Sequence, residues 1–296
     1  MGGGEAVLPG TGLRIPAGAC DCHVHVFGPV ARFPFSSDRT YTPGPAPTED
    51  LVRHQRGLGL SRTIVVQPSV YGTDNRCTLA ALAELGDAAR GVAVCRTDMS
   101  AEELWALHEA GIRGLRLNLV AAEVGDPRLA RAAVEQTAAQ ARPLGWHVQI
   151  FATPQIVLAL REVIADLPVP VVIDHFGGIR DIRQPEFPAL LALVERGSAY
   201  VKLSAAYLVS DYARSPDVAQ VARTLMAANA ARLLWGSNWP HPAGGTGGTV
   251  EGIAPFRRVD DAEAISILSG WAGAPEMFRR ILVENPAALY GFETAS

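Results

Sequence analysis

The alternation of short apolar runs with amphipathic stretches constrains the fold of this chain more than any other feature. The runs are mostly apolar throughout rather than apolar at every second residue, as in Val-Pro-Val-Val-Ile at 169–173. Strands of this kind are buried on both faces, which is typical of a parallel sheet covered by helices. The amphipathic stretches supply those helices, because crossovers between parallel strands are usually helical.

The pattern predicts eight β–α units within the 296 residues of the chain. Strands are predicted at 19–26, 62–67, 91–95, 114–118, 147–151, 169–175, 200–203 and 233–237. Helices are predicted at 48–56, 77–85, 101–110, 127–141, 154–165, 187–196 and 216–228, followed by a helical tail to Tyr290. This indicates a single (β/α)8 TIM barrel over 19–296, after a flexible N-terminal segment at 1–18. A doubly wound open sheet is the alternative, but it usually has fewer strands and a glycine-rich phosphate turn.

Composition and charge argue against two classes of partner. The chain is 48% hydrophobic, enough for a full core, and its net charge of −4 gives no basic surface for nucleic acid. No apolar run reaches the roughly 18–20 residues of a membrane span. The N-terminus lacks the charged-then-apolar order of a signal peptide. We therefore expect a cytoplasmic protein with a small-molecule substrate and no nucleic-acid or membrane partner; assembly into a homo-oligomer stays open.

His23 and His25 in the first predicted strand are candidate catalytic residues. Residues i and i+2 of a strand point to the same side, so the two imidazoles project together. Such a pair binds a metal, shares a proton or polarises a carbonyl. The neighbouring Cys20 and Cys22 should then point away from the histidines, and we expect all four cysteines to be reduced apolar residues.

Polar residues recur where the later strands end. In a barrel of this type, the carboxyl ends of the strands form the active site. The residues at these ends are Ser69, Arg116, Asn118, Phe151, Asp174, His175, Lys202, Asn238, Trp239 and His241. Asp174 precedes His175 and should therefore face away from the lumen. Lys202 is either catalytic or paired with a carboxylate, and His54, on a charged helix, should face solvent.

These motifs resemble the amidohydrolase superfamily. The resemblance rests on His-Val-His at 23–25, Ile-Asp-His at 173–175 and Trp-Gly-Ser-Asn-Trp-Pro-His at 235–241. It is closer to the branch of 2-pyrone-4,6-dicarboxylate lactonase, sulfomuconolactone hydrolase and galactarolactone isomerase, through stretches such as 28–35, 72–75 and 284–286. It implies a barrel that acts on lactones. We assign catalytic roles to His23, His25, His175 and Asn238, and substrate contacts to Tyr41, Ser69, Arg116, Asn118, Phe151, Trp239 and His241.

Departures from the branch are informative. Hydrolases of the superfamily have Asp at the position of Asn238, and an amide cannot act as a carboxylate base. Arg116 resembles a retained carboxylate-binding arginine of the lactonase, and Phe151 replaces a tyrosine. The positions aligned with its other arginines are Ala122, Gly178 and Leu208. A pyrone dicarboxylate would be held poorly, since each lost bidentate arginine removes a strong contact.

Three functions are consistent with these residues. In a lactone hydrolase, the first hypothesis, the histidines surround the carbonyl and Arg116 holds a carboxylate. In an isomerase that moves a lactone between the hydroxyls of a sugar acid, the substrate's own hydroxyl attacks, and Asn238 is tolerable. The third is a non-catalytic binder. Whether Asn238 is native or an engineered replacement of Asp stays open.

We expect no resident cofactor and little bound metal. A divalent metal such as zinc, if present, would be held by His23, His25 and His175, with water as the fourth ligand. Without an Asp at position 238, the site lacks the anionic ligand that would offset the charge of the ion.

Overall fold

Eight parallel strands and the helices between them form the body of the structure. The computed structural model describes residues 5–211, 214–242 and 250–293. Two short antiparallel strands, β1 (Ala6–Val7) and β2 (Arg14–Ile15), precede the sheet. The parallel strands, in spatial order, are β3 (Cys20–Val24), β4 (Arg62–Val66), β5 (Ala89–Ala93), β6 (Ile112–Asn118), β7 (His147–Phe151), β8 (Val171–Ile173), β9 (Ala199–Ser204) and β10 (Leu233–Gly236).

Backbone hydrogen bonds beyond β10 close the sheet into a barrel. Asn238 N donates to His23 O at 2.9 Å, and His25 N donates to Trp239 O at 2.8 Å. Gly236 permits this approach, because a Cβ there would lie 2.6 Å from the Cβ of His23. The predicted (β/α)8 barrel is therefore confirmed.

Helices follow the strands and cover the outside of the barrel. They are α1 (Thr48–Leu58), α2 (Arg76–Leu85), α3 (Ala101–Glu109), α4 (Pro127–Ala141), α5 (Pro154–Asp166), α6 (Phe187–Glu195), α7 (Pro216–Asn229), α8 (Asp261–Ala272), α9 (Pro275–Arg279) and α10 (Asn285–Tyr290). Local signals set their starts: Ser100 and Glu103 form a capping box before α3, and proline occupies the first position of α4 and α5.

Cys20 and Cys22 lie inside the barrel, so the expectation that they point away from the histidines is wrong. Both pack in an apolar lumen cluster that Tyr290 and Phe292 complete. The ladder between β3 and β4 shifts register between Asp21 and Val24. Such a bulge breaks the two-residue alternation, so Cys22 and His23 both face the lumen. All four cysteines are free, as expected.

The N-terminal hairpin packs on the barrel through Leu8 and Ile15, which are 1% and 0% exposed. The flexibility of residues 1–18 stays a prediction, and the described part of this segment begins at Glu5. Among the described residues, no helix is both long and apolar enough to cross a membrane.

Candidate active site

A small cavity lies at the carboxyl ends of the barrel strands. Its volume is about 60 Å³. Eight of the predicted site residues line it: His25, Tyr41, Ser69, Arg116, Asn118, Phe151, His175 and Asn238. The long loop after β3 supplies Tyr41, and the other seven come from strands or the turns that follow them. The structure therefore brings together most of the set that the strand ends indicated.

His23 lies next to this cavity and touches two of its histidines. Its ring centroid is 5.0 Å from that of His25 and 4.8 Å from that of His175. Burial lowers the pKa of His23 well below its ordinary value, so the ring is neutral. Its Nε2 is buried without a hydrogen-bond partner among the described residues.

Lys202 and Asp174 both lie close to Nδ1 of His23. Lys202 Nζ is 3.3 Å from this atom and donates to Gln149 Oε1 at 2.7 Å. Asp174 Oδ1 is also 3.3 Å from Nδ1, but it has no hydrogen-bond partner among the described residues. An ammonium group has donors and no acceptor, so its contact favours a lone pair on Nδ1 and the ring proton on Nε2.

His25 has the opposite tautomer. Its Nδ1 lies 2.8 Å from the carbonyl oxygen of Val66, which only accepts, so Nδ1 carries the proton. Burial and, second to it, the neighbouring Arg116 lower the pKa of His25 to about 3. At neutral pH His25 therefore has an Nε2 lone pair on the ring that lines the cavity.

His175 reaches the cavity through an unusual backbone. Its φ is +52°, which ends β8 and redirects the chain immediately after Asp174. Its Nδ1 lies 2.8 Å from Ser204 Oγ, and its ring meets Phe151 edge-on at 5.0 Å. Burial lowers the pKa of His175 to about 4, so this ring is neutral as well.

Asp174 also faces the lumen, which corrects the expectation that it points away. Gln149 Nε2 donates to its Oδ2 at 3.0 Å, and Arg116 Nε lies 3.5 Å from the same oxygen. Its Oδ1 is 3.3 Å from His23 Nδ1 and 3.6 Å from Lys202 Nζ. Burial would raise the pKa of Asp174, but its neighbours, among them the ammonium group of Lys202, outweigh it and hold the pKa well below the usual range. Strict alternation fails here because β8 ends at Ile173.

Two cations and one carboxylate thus lie close together in the buried part of the site. Arg116 and Lys202 are positive, Asp174 is negative and the histidines are neutral, so the cluster carries a net positive charge. Arg116 makes one long hydrogen bond, from Nη1 to Gln67 O at 3.4 Å, and its Nε is buried without a hydrogen bond among the described residues. An anionic group in the cavity would satisfy this guanidinium.

Asn238 lines the cavity and also makes a hydrogen bond to Tyr207. It has a φ of +69°, and its Nδ2 donates to the hydroxyl of Tyr207 at 2.8 Å. Its Oδ1 is buried and has no partner among the described residues. Asp21 holds this turn in place, because it accepts from the backbone N of Ser237 at 2.9 Å and from its Oγ at 2.6 Å.

Trp239 and His241 do not line this cavity. They border a separate cavity of about 870 Å³, together with His54 and Asp261. His54 stacks on Trp239 with centroids 5.7 Å apart, and 19% of its side chain is exposed, so it is more buried than expected. Sequence reasoning missed Tyr207 and Asp261, because neither lies at a strand end or belongs to a motif.

The described residues contain one group with metal-ligand spacing. His23, Asp174 and His175 place one ligand atom each within 4.8 Å of one another, so Asp174 rather than His25 joins the other two. The group does not suit a divalent ion as it stands. Arg116 Nε and Lys202 Nζ already lie 3.5 Å and 3.6 Å from the oxygens of the Asp174 carboxylate. A further double positive charge would be repelled by both cations.

Comparisons with known proteins agree along the whole barrel. The sequence profile of the amidohydrolase family matches residues 20–292. The 4-sulfomuconolactone hydrolase of Hydrogenophaga intermedia is 31% identical over 282 residues, 94% of this chain and 90% of that protein. The 2-pyrone-4,6-dicarboxylate hydrolase of Comamonas testosteroni is 33% identical over 291 residues, which cover 94% of this chain and 92% of that protein. The D-galactarolactone isomerase of Agrobacterium fabrum is 32% identical over 286 residues, which cover 93% of this chain and 91% of that protein.

A solved structure supports the same conclusion for the fold. The crystal structure of a probable 2-pyrone-4,6-dicarboxylic acid hydrolase from Acinetobacter baumannii, with citric acid bound, has a TM-score of 0.76 and 26% identity. The match covers 93% of this chain and 100% of that one. The similarity therefore includes the barrel and the strand ends that build the cavity.

Proposed function

This chain belongs to the amidohydrolase family, and on that premise we propose that it hydrolyses the ester bond of a lactone that carries a carboxylate. The observation that carries the proposal is the net positive charge of the buried cluster beside three neutral histidines. The charge attracts an anionic substrate, and the neutral rings supply donors and acceptors to its ester. Two relatives at 31% and 33% identity are hydrolases named for a muconolactone and a pyrone dicarboxylate.

Arg116 is proposed to bind the substrate carboxylate. Its guanidinium lines the cavity, and its one hydrogen bond is a long one, from Nη1 to Gln67 O at 3.4 Å, while Nε faces Asp174 at 3.5 Å. The hydroxyls of Tyr41 and Ser69 border the same space and would donate to the other carboxylate oxygen or the ring. Asn118 Oδ1 already accepts from Ala121 N at 2.9 Å, so Asn118 shapes the wall. The cavity of about 60 Å³ favours a small lactone ring.

His23 is proposed to polarise the lactone carbonyl. Its Nε2–H has no acceptor among the described residues and is adjacent to the cavity histidines. As attack on the carbonyl proceeds, negative charge develops on the carbonyl oxygen, and a preorganised donor in a buried site stabilises it. Lys202 keeps this donor in the right tautomer through its contact with His23 Nδ1.

His25 and Asn238 are proposed to position the attacking water. The Nε2 lone pair of His25 accepts one water proton, and the amide oxygen of Asn238 accepts a hydrogen bond from the other. The water oxygen forms a bond to the carbonyl carbon while its proton moves to His25. The ring C–O bond then breaks, and the imidazolium returns that proton to the leaving oxygen, so the products are a carboxylic acid and a hydroxyl group.

The site is proposed to act without a resident metal, since the charge arrangement at Asp174 disfavours one. We likewise propose a cytoplasmic location from the sequence pattern, and homo-oligomer formation stays a prediction. The proposed mechanism requires neither a particular location nor a particular oligomeric state.

Lactone isomerisation is the alternative, and Asn238 favours it. The isomerase relative is 32% identical to this chain. In that reaction a hydroxyl of the substrate attacks the carbonyl, so no water needs to be deprotonated by a strong base. Arg116 and the histidines would keep the same roles.

A screen of hydroxy-acid and muconate-type lactones, with proton release and NMR spectra both followed, tests the proposal. Hydrolysis releases acid as the ring opens. A change in the spectrum without acid release would replace hydrolysis by isomerisation. Binding without either change would indicate a non-catalytic binder and overturn the proposal.

A further inference from the structure

We infer that Asp261, His241 and Tyr207 form a positioning relay that orients the amide of Asn238, so that its oxygen faces the attacking group. The inference rests on the proposed function for its kinetic consequence only. The relay starts outside the catalytic cavity, at the carboxylate that begins α8, and ends at the residue where the superfamily's hydrolases carry Asp. None of its first three members touches the reacting atoms, so they are positioning residues.

The carboxylate at one end sets the direction of each hydrogen bond in the proposed relay. Asp261 Oδ2 lies 2.9 Å from His241 Nε2, and a carboxylate accepts, so Nε2 carries the ring proton. In the proposed relay the ring carries this one proton, so Nδ1 has a lone pair, and the Tyr207 hydroxyl, 3.4 Å away, donates its single proton to it. The Tyr207 oxygen is left as an acceptor and receives the Nδ2–H of Asn238 at 2.8 Å.

The directed chain decides which atom of Asn238 faces the cavity. With Nδ2 committed to Tyr207, Oδ1 points elsewhere, and it is buried without a partner among the described residues. Asn238 lines the catalytic cavity. An unpaired buried acceptor costs free energy unless a donor completes it, and a water or substrate hydroxyl supplies that donor. The opposite amide orientation would present N–H groups to the oxygen of the nucleophile.

Other charged and titratable groups border the relay without joining it. His54 Nε2 lies 3.3 Å from Asp261 Oδ2 and has no hydrogen bond to it. The Arg257 guanidinium sits over the Tyr207 ring at 5.4 Å, and its backbone N donates to His241 O at 2.9 Å. Burial raises the pKa of Tyr207, so its hydroxyl keeps its proton at neutral pH.

The relay can be reversed by one substitution. In Asp261→Asn, the new amide can present N–H to His241 Nε2, which moves the ring proton to Nδ1. His241 then donates to Tyr207, Tyr207 donates to Asn238, and Asn238 turns its N–H groups towards the cavity. Asp260→Asn is the matched control, because Asp260 is the exposed N-cap of the same helix and contacts only Glu263 N in the cap.

Nitrogen-15 NMR of histidine-labelled protein tests the direction of the relay without any substrate. We expect the His241 signals, identified by their loss in His241→Gln, to show a proton on Nε2 in the wild type and in Asp260→Asn. A wild-type proton on Nδ1 would overturn the relay. The relay would also be overturned if Asp261→Asn kept the His241 proton on Nε2 and had the same kcat as Asp260→Asn.

Kinetics on the lactone found in the screen test the consequence. We expect Asp261→Asn to lower kcat about 10²-fold with little change in KM, since misplacing a catalytic contact has effects of this size. Tyr207→Phe should lower kcat about tenfold, whereas Tyr200→Phe, which loses a hydroxyl bound to Arg232, should not.

In an Asn238→Asp background the Asp261→Asn effect should vanish, because a carboxylate has no N–H to misdirect. An equal loss in both backgrounds would show a merely structural role and overturn the inference. A correct His241 tautomer in a protein inactive on every lactone would instead count against the proposed function.

Discussion

The ammonium nitrogen of Lys202 lies 3.3 Å from Nδ1 of His23, with both side chains fully buried inside the barrel. Lys202 is the only lysine of the chain. Burial lowers its pKa, but Asp174 opposes that shift and favours the charged form. The pair therefore joins an ammonium donor to a histidine whose ring contacts those of His25 and His175, which line the candidate cavity.

Replacing Lys202 by Met should lower kcat by about 10²-fold while KM changes less, because His23 would no longer be held as the Nε2–H donor. Steady-state kinetics measure this effect, and circular dichroism verifies that the variant folds. Arg232→Met is the control, since Arg232 bonds to Gly197 and Tyr200 and has no contact with His23. A folded Lys202→Met enzyme with wild-type kcat would remove Lys202 from the mechanism.

Arg116→Ala should weaken binding or transition-state stabilisation by about 2–5 kcal/mol, because the substrate carboxylate would be buried without its partner. The expected signature is a large loss in kcat/KM on carboxylate lactones and a small one on the matching methyl esters. Arg113→Ala, on the same strand but bonded to the carbonyl of His108, is the control. Equal losses on acid and ester substrates would contradict the assigned role.

The neutral site histidines should make stability fall in acid. Burial holds the pKa of His25 at about 3 and that of His175 at about 4, against 6.5 for an ordinary histidine. Below pH 6.5 the unfolded chain binds protons at these positions and the folded chain does not. Stability is thus fully present above pH 6.5 and is lost as pH falls towards 4, by up to about 1.4 kcal/mol per pH unit and histidine. Urea denaturation between pH 7 and pH 4.5 measures the slope, which His25→Gln should reduce; an unchanged slope would refute the assignment.

Asn238→Asp should separate hydrolysis from isomerisation. A carboxylate at this position accepts the proton of water more readily than His25, whose pKa is about 3. If water is the nucleophile, hydrolysis should rise by about 10²-fold or more, within the usual range for a positioned general base. Acid release by the variant and the wild type on the same lactone gives the ratio. A fall in rate would argue either that a substrate hydroxyl attacks, as in the isomerase, or that His25 drives hydrolysis and a carboxylate at position 238 repels the developing oxyanion.

Metal content should be low in purified protein and unrelated to activity. The cations beside Asp174 disfavour a divalent ion at the group formed by His23, Asp174 and His175. Elemental analysis with activity assays before and after chelation provides the measurement. One zinc per chain, with activity lost on chelation and restored by zinc, would reverse this prediction.

The barrel and most of its cavity could be read from the sequence. Apolar runs such as β8 (Val171–Ile173) and helix starts such as Pro127 are local signals, and short-range sterics and burial determine them directly. Because parallel strands in a barrel end at one face, placing a residue at a strand end was enough to bring Arg116, His175 and Asn238 together.

Side-chain directions at the irregular points were decided by the tertiary structure. The bulge between Asp21 and Val24 turns Cys22 and His23 to the same side, since the pairing with β4 sets the register. The positive φ of His175 lets Asp174 face the lumen as well, where Arg116 and Lys202 compensate its charge. The two-residue alternation of side chains is set within a single strand, so it does not indicate which residues of other strands a side chain contacts.

The relay from Asp261 to Asn238 depended on tertiary structure entirely. Its members come from the start of α8, the turn after β10 and the turn after β9, and no spacing in the sequence relates them. The sequence by itself determined most of the groups that line the cavity, because chain periodicity and strand polarity are local. Only the folded chain decided which atom of each group carries a proton and which faces the cavity, because hydrogen-bond direction is fixed by partners distant in sequence.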